Sequence, residues 1–137
     1  MRVILDTNVL LSALMTQGSS PARLFEHWKA RRFDLVSCET QLEEINRVTR
    51  RPFFRERIRG SEAGRLVNHV RALAVMVDAH GGLRLSPDPA DDYLLIAATA
   101  GQVDYLVTGD KSDLLALRRY ETTQLVTARF LADLLDR

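Results

Sequence analysis

Near its start the chain reads Val3-Ile4-Leu5-Asp6-Thr7-Asn8, in which three apolar residues are followed at once by a carboxylate. A short apolar run without polar alternation is typical of a strand that is buried on both faces. Such strands form parallel sheets, which helices cover on both sides. We therefore predict a buried parallel strand that stops at Asp6 and a helix that follows over residues 8–15.

Short apolar runs alternate with longer helical patterns along the rest of the chain. The predicted strands cover residues 3–5, 35–36, 75–77, 105–107 and 124–126. The predicted helices cover residues 8–15, a segment from Ser20-Pro21, about 39–50, a segment from Ser61, about 90–101 and a segment from Thr127. This alternation indicates an α/β fold with a parallel sheet. We predict one domain over residues 1–137, a five-stranded parallel sheet flanked by helices in an α/β/α sandwich.

Hydroxyl side chains mark where several of these helices should begin. A serine or threonine just before an apolar periodic segment accepts a hydrogen bond from the first turn of the helix. We expect this role for Ser20, Ser37, Ser61 and Thr127. The apolar residues expected on buried faces include Leu66, Val70 and Leu73 after Ser61, and Phe130, Leu131, Leu134 and Leu135 after Thr127.

Composition excludes several classes of protein. The 137 residues are 46% hydrophobic and 27% charged, which is typical of a globular domain and not of a disordered chain. No apolar run approaches the roughly 20 residues that span a bilayer, and the single cysteine excludes a disulfide framework or a thiolate zinc site. The net charge of +1 is low for a dedicated nucleic-acid binder but permits local binding of RNA. We expect a soluble cytoplasmic protein.

Acidic residues follow four of the five predicted strands. They are Asp6 after the first strand, Glu43 and Glu44 after the second, Asp91 and Asp92 after the third, and Asp110 and Asp113 after the fourth. Ligands of open parallel sheets bind at the carboxyl ends of the strands, which share one edge. We therefore expect these carboxylates to converge. Glu44 is the better candidate of its pair, because it flanks the inward-pointing Ile45.

Converging carboxylates raise one another's pKa unless a cation lies among them. Hard oxygen ligands, without a histidine pair, select Mg²⁺ or Mn²⁺ over Zn²⁺. Such a site suits the cleavage of phosphodiesters, because the metal activates water and neutralises charge on the phosphate. Each acid taken alone has a plainer interpretation. Asp113 can cap a helix at Leu114, and Asp91 or Asp92 can favour a helix dipole.

Together these residues resemble the PIN-domain ribonucleases over nearly the whole chain. The matching elements are the stretch 3–8, the acid Glu44, the pair Asp91-Asp92 before Leu95-Ile96-Ala97-Ala98, and the block Tyr105-Leu106-Val107-Thr108-Gly109-Asp110. The branch that looks most similar contains the VapC-like toxins and related toxin components of type II toxin–antitoxin pairs.

The resemblance implies roles for particular residues. The positions that match the acidic quartet of the family are Asp6, Glu44, Asp92 and Asp110, and those that match its supporting polar residues are Asn8 and Thr108. The implied metal ligands are Asp6, Asp92, Asp110 and Asp113, the last at a more variable position. Asp91 stays open as the alternative to Asp92, which we prefer because its distance to Asp110 fits the family pattern without a gap.

The same resemblance implies a biochemical function. PIN-domain ribonucleases of this branch are endoribonucleases that depend on Mg²⁺ or Mn²⁺, that frequently dimerise and that are inhibited by a small antitoxin. We therefore expect an RNA substrate, a homodimer and a cognate antitoxin protein as partners.

An arginine-rich stretch begins with Arg47, Arg50 and Arg51. One interpretation is a surface that contacts RNA phosphates or an acidic antitoxin; the other is a solvated helix face. Phe53 and Phe54 in the same stretch can either stack on bases or anchor the segment to the core.

Two other functions remain open from the sequence. A haloacid-dehalogenase-like phosphohydrolase also has a strand that ends in an acid, here Asp6, and a later Gly-Asp motif, here Gly109-Asp110. It requires a second aspartate where this chain has Asn8, which argues against it. The other alternative is a PIN-like module that binds RNA or a partner without catalysis, and the complete acidic quartet argues against that.

Overall fold

The computed structural model describes residues 1–79, 92–109 and 114–137. Its strands are β1 (Arg2–Leu5), β2 (Asp34–Ser37), β3 (Val75–Met76), β4 (Tyr105–Thr108), β5 (Arg119–Tyr120) and β6 (Thr123–Thr127). Its helices are α1 (Thr7–Met15), α2 (Ser20–Lys29), α3 (Glu39–Val48), α4 (Pro52–Arg55), α5 (Gly60–Leu73), α6 (Asp92–Ala100) and α7 (Ala128–Leu135). This order of elements confirms the predicted α/β class. Among the helices described, none is both long enough and apolar enough to cross a membrane.

Within the described residues, the sheet has six strands in the order β3-β2-β1-β4-β6-β5. The strands β1, β2, β3, β4 and β6 are parallel and correspond to the five predicted strands. The predicted count of five is wrong, because β5 adds an antiparallel strand at one edge. This strand consists of Arg119 and Tyr120, neither of which is buried. It therefore lacks the apolar run from which the other strands were predicted.

Alternate residues of β1 face two separate hydrophobic cores. Val3 and Leu5 pack into a core that also contains residues of α1, α2, α3, α5 and α7. Ile4 packs into a second core with residues of α6. All three side chains are at most 1% exposed. Burial on both faces explains why this strand shows no polar alternation, and it confirms that helices cover both sides of the sheet.

Three of the four predicted helix caps, Ser20, Ser37 and Ser61, are wrong. Ser37 is the last residue of β2, and α3 follows Cys38 without a side-chain cap. The Ser37 hydroxyl donates instead to the side chain of Gln41, one turn along α3. The helix predicted from Ser61 begins one residue earlier, and Arg59 precedes it.

The remaining helix predictions are close but differ in detail. Ser19 caps α2, one residue before the predicted Ser20, and Thr127 caps α7 as predicted. Two residues expected on buried faces are exposed instead, Leu73 at 66% and Phe130 at 51%. Both lie in the terminal turn of a helix, where fewer neighbouring elements are available to cover a side chain.

Gly101, directly after α6, is expected to accept no larger side chain. A Cβ atom there would lie 2.9 Å from Cγ1 of Val36 and 3.2 Å from the carbonyl oxygen of Ala97. Val36 is fully buried in β2, so the clash cannot be relieved without moving the core. We expect Gly101→Ala to lower the free energy of unfolding by about 1–3 kcal/mol, measured by urea denaturation.

Gly64, an exposed glycine inside α5, is the matched control. No atom lies within 4 Å of a Cβ built at this position. Because alanine is the better helix former, Gly64→Ala should leave the stability unchanged or raise it slightly. Equal stability of the two alanine variants would contradict the close contact at Gly101.

Candidate active site

Asp6 lies where β1 ends, at the carboxyl edge of the sheet. Its backbone amide donates to the carbonyl oxygen of Val107 in β4, 2.9 Å away. Its Oδ1 accepts a hydrogen bond of 2.9 Å from the amide of Val9, so Asp6 is the N-cap of α1. Its Oδ2 accepts a hydrogen bond of 2.6 Å from the hydroxyl of Thr108. The carboxylate is therefore held in one orientation between α1 and the end of β4.

The surroundings of Asp6 raise the pKa of its carboxyl group above the ordinary value. Burial of the carboxyl group is the largest cause, and the negative charge of Glu44 adds to it. The hydrogen bonds from Thr108 and Val9 act in the opposite direction without cancelling the rise. A partly desolvated carboxylate beside a second carboxylate is a place where a bound cation would lower the electrostatic energy.

Glu44, in the middle of α3, is held by two hydroxyl groups. Its Oε1 accepts hydrogen bonds from Thr7 Oγ1 and from the phenol of Tyr93, the latter of 2.6 Å. Its Oε2 lies 3.8 Å from the guanidinium of Arg47. Glu43, by contrast, is exposed. The structure thus places Glu44, and not its neighbour, beside Asp6, with one oxygen engaged and the other left for a further contact.

Tyr93 is a site residue that the sequence analysis does not identify. Its hydroxyl lies within 3.4 Å of Thr7 Oγ1 as well as donating to Glu44. Burial is the first cause that raises the pKa of this phenol, and donation to Glu44 is the second. Tyr93 therefore stays protonated and acts as a hydrogen-bond donor. The available signal was its place in the sequence, directly after the pair Asp91-Asp92.

Gln41 is a second residue that the sequence analysis misses. It is 1% exposed, and its Nε2 donates to the carbonyl oxygen of Leu5 at 2.7 Å. Its Oε1 accepts a hydrogen bond from Ser37 at 2.5 Å. The side chain thus ties the ends of β1 and β2 to α3, and so fixes the backbone beside Asp6 and the helix that carries Glu44.

We expect Gln41→Leu to lower the free energy of unfolding by about 1–3 kcal/mol. The substitution places an apolar side chain of similar size at the buried position but leaves the Leu5 carbonyl and the Ser37 hydroxyl without this partner. Urea denaturation of the variant and the wild type measures the change. Gln17→Leu, at an exposed position, is the control. A Gln41 variant as stable as the Gln17 variant would contradict the bridging role.

Asp92 is the first residue of α6 and is only 7% exposed. The other predicted acids Asp91, Asp110 and Asp113 lie outside the described residues, so the convergence of the full set stays a prediction. Within the described ranges, no group of three or more His, Cys, Asp or Glu side chains is close enough to hold a metal ion.

A cavity of about 380 Å³ adjoins Thr108, the residue that orients Asp6. Its lining includes Asn8, Ser12, Ser20, Thr108, Gly109 and Arg129. Asn8 is exposed and faces this space, which is compatible with its predicted supporting role. The recess also has apolar lining residues, Val9, Pro21 and Ala128, so its wall is of mixed character beside the end of β4.

The predicted contact residues Arg47, Arg50 and Arg51 are all exposed. Only Arg47 lies close to the carboxylates, at the distance from Glu44 given above. The structure therefore brings Asp6, Glu44 and Thr108 together, and it places the other two arginines farther along the chain beyond α3.

A family of known proteins shares the sequence pattern of this chain. A family model described as PIN domain matches residues 2–112 of the chain. The matched segment runs from β1 through β4 and contains Asp6, Glu44, Asp92 and Thr108. No curated protein matches the chain at a significant level.

Proposed function

Because the chain belongs to the PIN-domain family, we propose that it is an endoribonuclease that uses Mg²⁺ or Mn²⁺ to hydrolyse RNA phosphodiester bonds. Family membership supports a nuclease in general. One observation carries the proposal further: Asp6 and Glu44 are held by hydrogen bonds at the carboxyl edge of a parallel sheet, where burial and, to a smaller extent, the charge of Glu44 raise the pKa of Asp6.

The residue types that the sequence predicts at this edge suit a hard divalent cation. Asp6 and Asp92 would hold it, together with Asp110 and Asp113 from outside the described residues. All four are carboxylates, which Mg²⁺ and Mn²⁺ prefer as ligands. When bound, the metal supplies activation of a water molecule and neutralises the charge that develops on the phosphate.

The surrounding residues orient the two carboxylates. Thr108 donates to one oxygen of Asp6, and the cap of α1 engages the other, so the group cannot rotate freely. Thr7 and Tyr93 both donate to Oε1 of Glu44, which directs its Oε2 away from them. Glu44 Oε2 is thus the oxygen available to accept a hydrogen bond from water beside the scissile phosphate.

The test is cleavage of end-labelled RNA by the purified protein with Mn²⁺ or Mg²⁺, and with EDTA. We expect cutting with either metal and none with EDTA. Products should carry a 5′-phosphate and a 3′-hydroxyl. Cutting that persists in EDTA would contradict metal dependence. Binding of RNA without cutting, across several RNAs and both metals, would favour the alternative of a PIN-like binding module.

Family membership argues against the haloacid-dehalogenase alternative, since that family has a different motif set around its first aspartate. The RNA-binding or partner-binding module stays the second candidate. Among the described residues, Asp6 has no ion-pair partner, and Glu44 has a long contact of 3.8 Å with the exposed Arg47 instead of a close, buried ion pair. That environment favours catalysis over a structural role.

We also propose that the protein is the VapC-like toxin of a toxin–antitoxin pair, a cytoplasmic homodimer that a cognate antitoxin inhibits. Its support is the likeness of residues 3–8 and of the later acidic motifs to that branch. Induced expression of the wild type in a bacterial host should arrest growth, whereas Asp6→Asn should not. Arrest by both proteins, or by neither, would contradict the toxin role.

A further inference from the structure

A second cavity, of about 480 Å³, lies between the end of α3, the short helix α4 and the start of α5. We call it the arginine pocket. Its lining includes Asn46, Thr49, Arg50, Arg55, Arg59 and Gly64. Three arginines and no acidic residue are among the described residues that line it.

The charges of the arginine pocket are largely uncompensated. In the part of the chain that the structure describes, neither Arg50 nor Arg55 has an ion-pair partner. Arg59 is 3.9 Å from Glu62, but its side chain is 87% exposed, so that contact is weak. Guanidinium groups around one cavity repel one another, and a bound anion would remove this repulsion. The pocket is therefore built for a negatively charged ligand.

The arginine pocket and the candidate active site share helix α3. Arg47 lies 3.8 Å from Glu44 Oε2, on the side that the hydroxyl donors leave open. Thr49, which lines the pocket, follows Glu44 by five residues, which is about 7.5 Å along the helix axis and about 140° around it. A single strand of RNA whose scissile bond lay at Glu44 would therefore cross the exposed side of α3, past Arg47, to reach the pocket.

An exposed aromatic ring lies in α4, the short helix that also carries the pocket residue Arg55. Phe53, in α4, is 52% exposed, and the guanidinium of Arg57 lies 3.9 Å from its ring centroid. Phe54, next to it, packs against the first hydrophobic core. The two phenylalanines thus differ, since Phe54 anchors the segment and Phe53 does not. Exposed aromatic and guanidinium groups are surfaces on which unpaired bases stack.

We propose that the arginine pocket binds backbone phosphates of the single-stranded RNA substrate, with Phe53 as a stacking surface for an adjacent base. This inference rests on the proposed function. An acidic protein segment would satisfy the arginines equally well, but the exposed ring of Phe53 and the position of Arg47 on α3, between Glu44 and the pocket residue Arg50, favour the substrate. The pocket also explains how a nearly neutral chain holds RNA beside its own carboxylates, because the arginines that attract the phosphates are separate from the carboxylates that act on the scissile bond.

The test measures binding of a fluorescein-labelled oligouridine to the full chain by fluorescence anisotropy, in EDTA so that no cutting occurs. The double variant Arg50→Gln/Arg55→Gln should bind about tenfold more weakly. The slope of log affinity against log salt should fall by about 1.4, since each phosphate contact on a single strand contributes about 0.7. Arg119→Gln/Arg137→Gln, with the same change in net charge at two exposed positions, is the control.

A second pair of variants changes Gly64, which lines the pocket on the side of α5. No atom lies within 4 Å of a Cβ at Gly64, so a longer side chain there fits without disturbing the helix. Gly64→Glu should weaken binding several-fold more than Gly64→Gln, because only the former adds a negative charge. Equal binding by these two variants, or by both arginine double variants, would overturn the proposal.

Further outcomes separate this proposal from the nuclease assignment. In the cleavage assay, the Arg50/Arg55 double variant should raise KM with kcat little changed. Normal cutting with an unchanged KM would overturn the pocket while leaving the nuclease intact. Oligouridine binding that depends on Arg50 and Arg55, without cutting in any metal, would support the pocket and refute the nuclease. Loss of polyglutamate binding with unchanged oligouridine binding would overturn the proposal in favour of an acidic protein.

Discussion

Asp6→Asn is expected to reduce RNA cleavage by at least about 100-fold and to leave the metal-free protein as stable as the wild type or more stable. Asparagine is a good helix cap, so its side-chain oxygen still accepts from the amide of Val9. Its amide can donate to the hydroxyl of Thr108, which reverses that hydrogen bond without moving either group. The substitution therefore removes one charge and little else.

The direction of the stability change follows from the pKa of Asp6. Folding raises this pKa, so the carboxyl group of Asp6 holds its proton more tightly in the folded chain than in the unfolded one. The carboxylate therefore costs stability at pH values above its folded pKa, and this cost disappears as the pH falls below the unfolded value. The gain from Asp6→Asn should accordingly be present at pH 7 and absent near pH 3.

Thermal melts in EDTA at these two pH values, beside the cleavage assay, measure the effect. Mn²⁺ should raise the melting temperature of the wild type and not that of Asp6→Asn, because the metal binds only the folded state. A variant that cuts RNA like the wild type would refute the placement of Asp6 in the site. A variant less stable than the wild type at pH 7 would show that the cap requires the negative charge.

Glu44→Gln is expected to lower cleavage by a similar factor, about 100-fold, with the fold retained. The glutamine oxygen can keep both hydrogen bonds from Thr7 and Tyr93, while an amide replaces Oε2. The Oε2 atom that should accept a hydrogen bond from water is then replaced by an NH₂ group, which can only donate one. Because the charge of Glu44 is one cause of the raised pKa of Asp6, the same variant should lower that pKa.

Carbon-13 NMR titration of the aspartate carboxyl groups in metal-free protein measures the second effect directly. Glu43→Gln is the matched control, since it removes the same charge from an exposed neighbouring position. It should change neither the cleavage rate nor the pKa of Asp6. An equal effect of both substitutions would mean that net charge, and not the orientation of Glu44, is responsible.

Several features of this chain were predictable because they depend on local patterns. The apolar run before Asp6 predicted β1, and similar runs predicted the other four parallel strands. The choice of Glu44 over Glu43 followed from the helical period around Ile45, which places one of the two beside the buried face. In the structure Glu44 is half-buried and accepts a hydrogen bond from Tyr93, whereas Glu43 is exposed, and the roles of Asp6 and Glu44 in the site stay predictions.

Other predictions failed where local pattern and tertiary contact disagree. Serine is a common helix cap, but the hydroxyl of Ser37 donates a hydrogen bond to the buried side chain of Gln41 instead. Phe130 has the helical spacing of a core residue, yet the neighbouring elements do not cover it. The edge strand at Arg119 forms by pairing with β6, and its own residues carry no apolar signal.

Sequence alone thus determined the α/β class, the parallel strands and the family, because strand runs, helical periods and motif spacing are properties of neighbouring residues. Only the tertiary structure decided which groups meet. Thr7 and Tyr93 reach Glu44 across separations of 37 and 49 residues, and Gln41 reaches Leu5 across 36. Such contacts arise when α3 and α6 pack against the sheet, and no local pattern records which atoms that packing brings within hydrogen-bond distance.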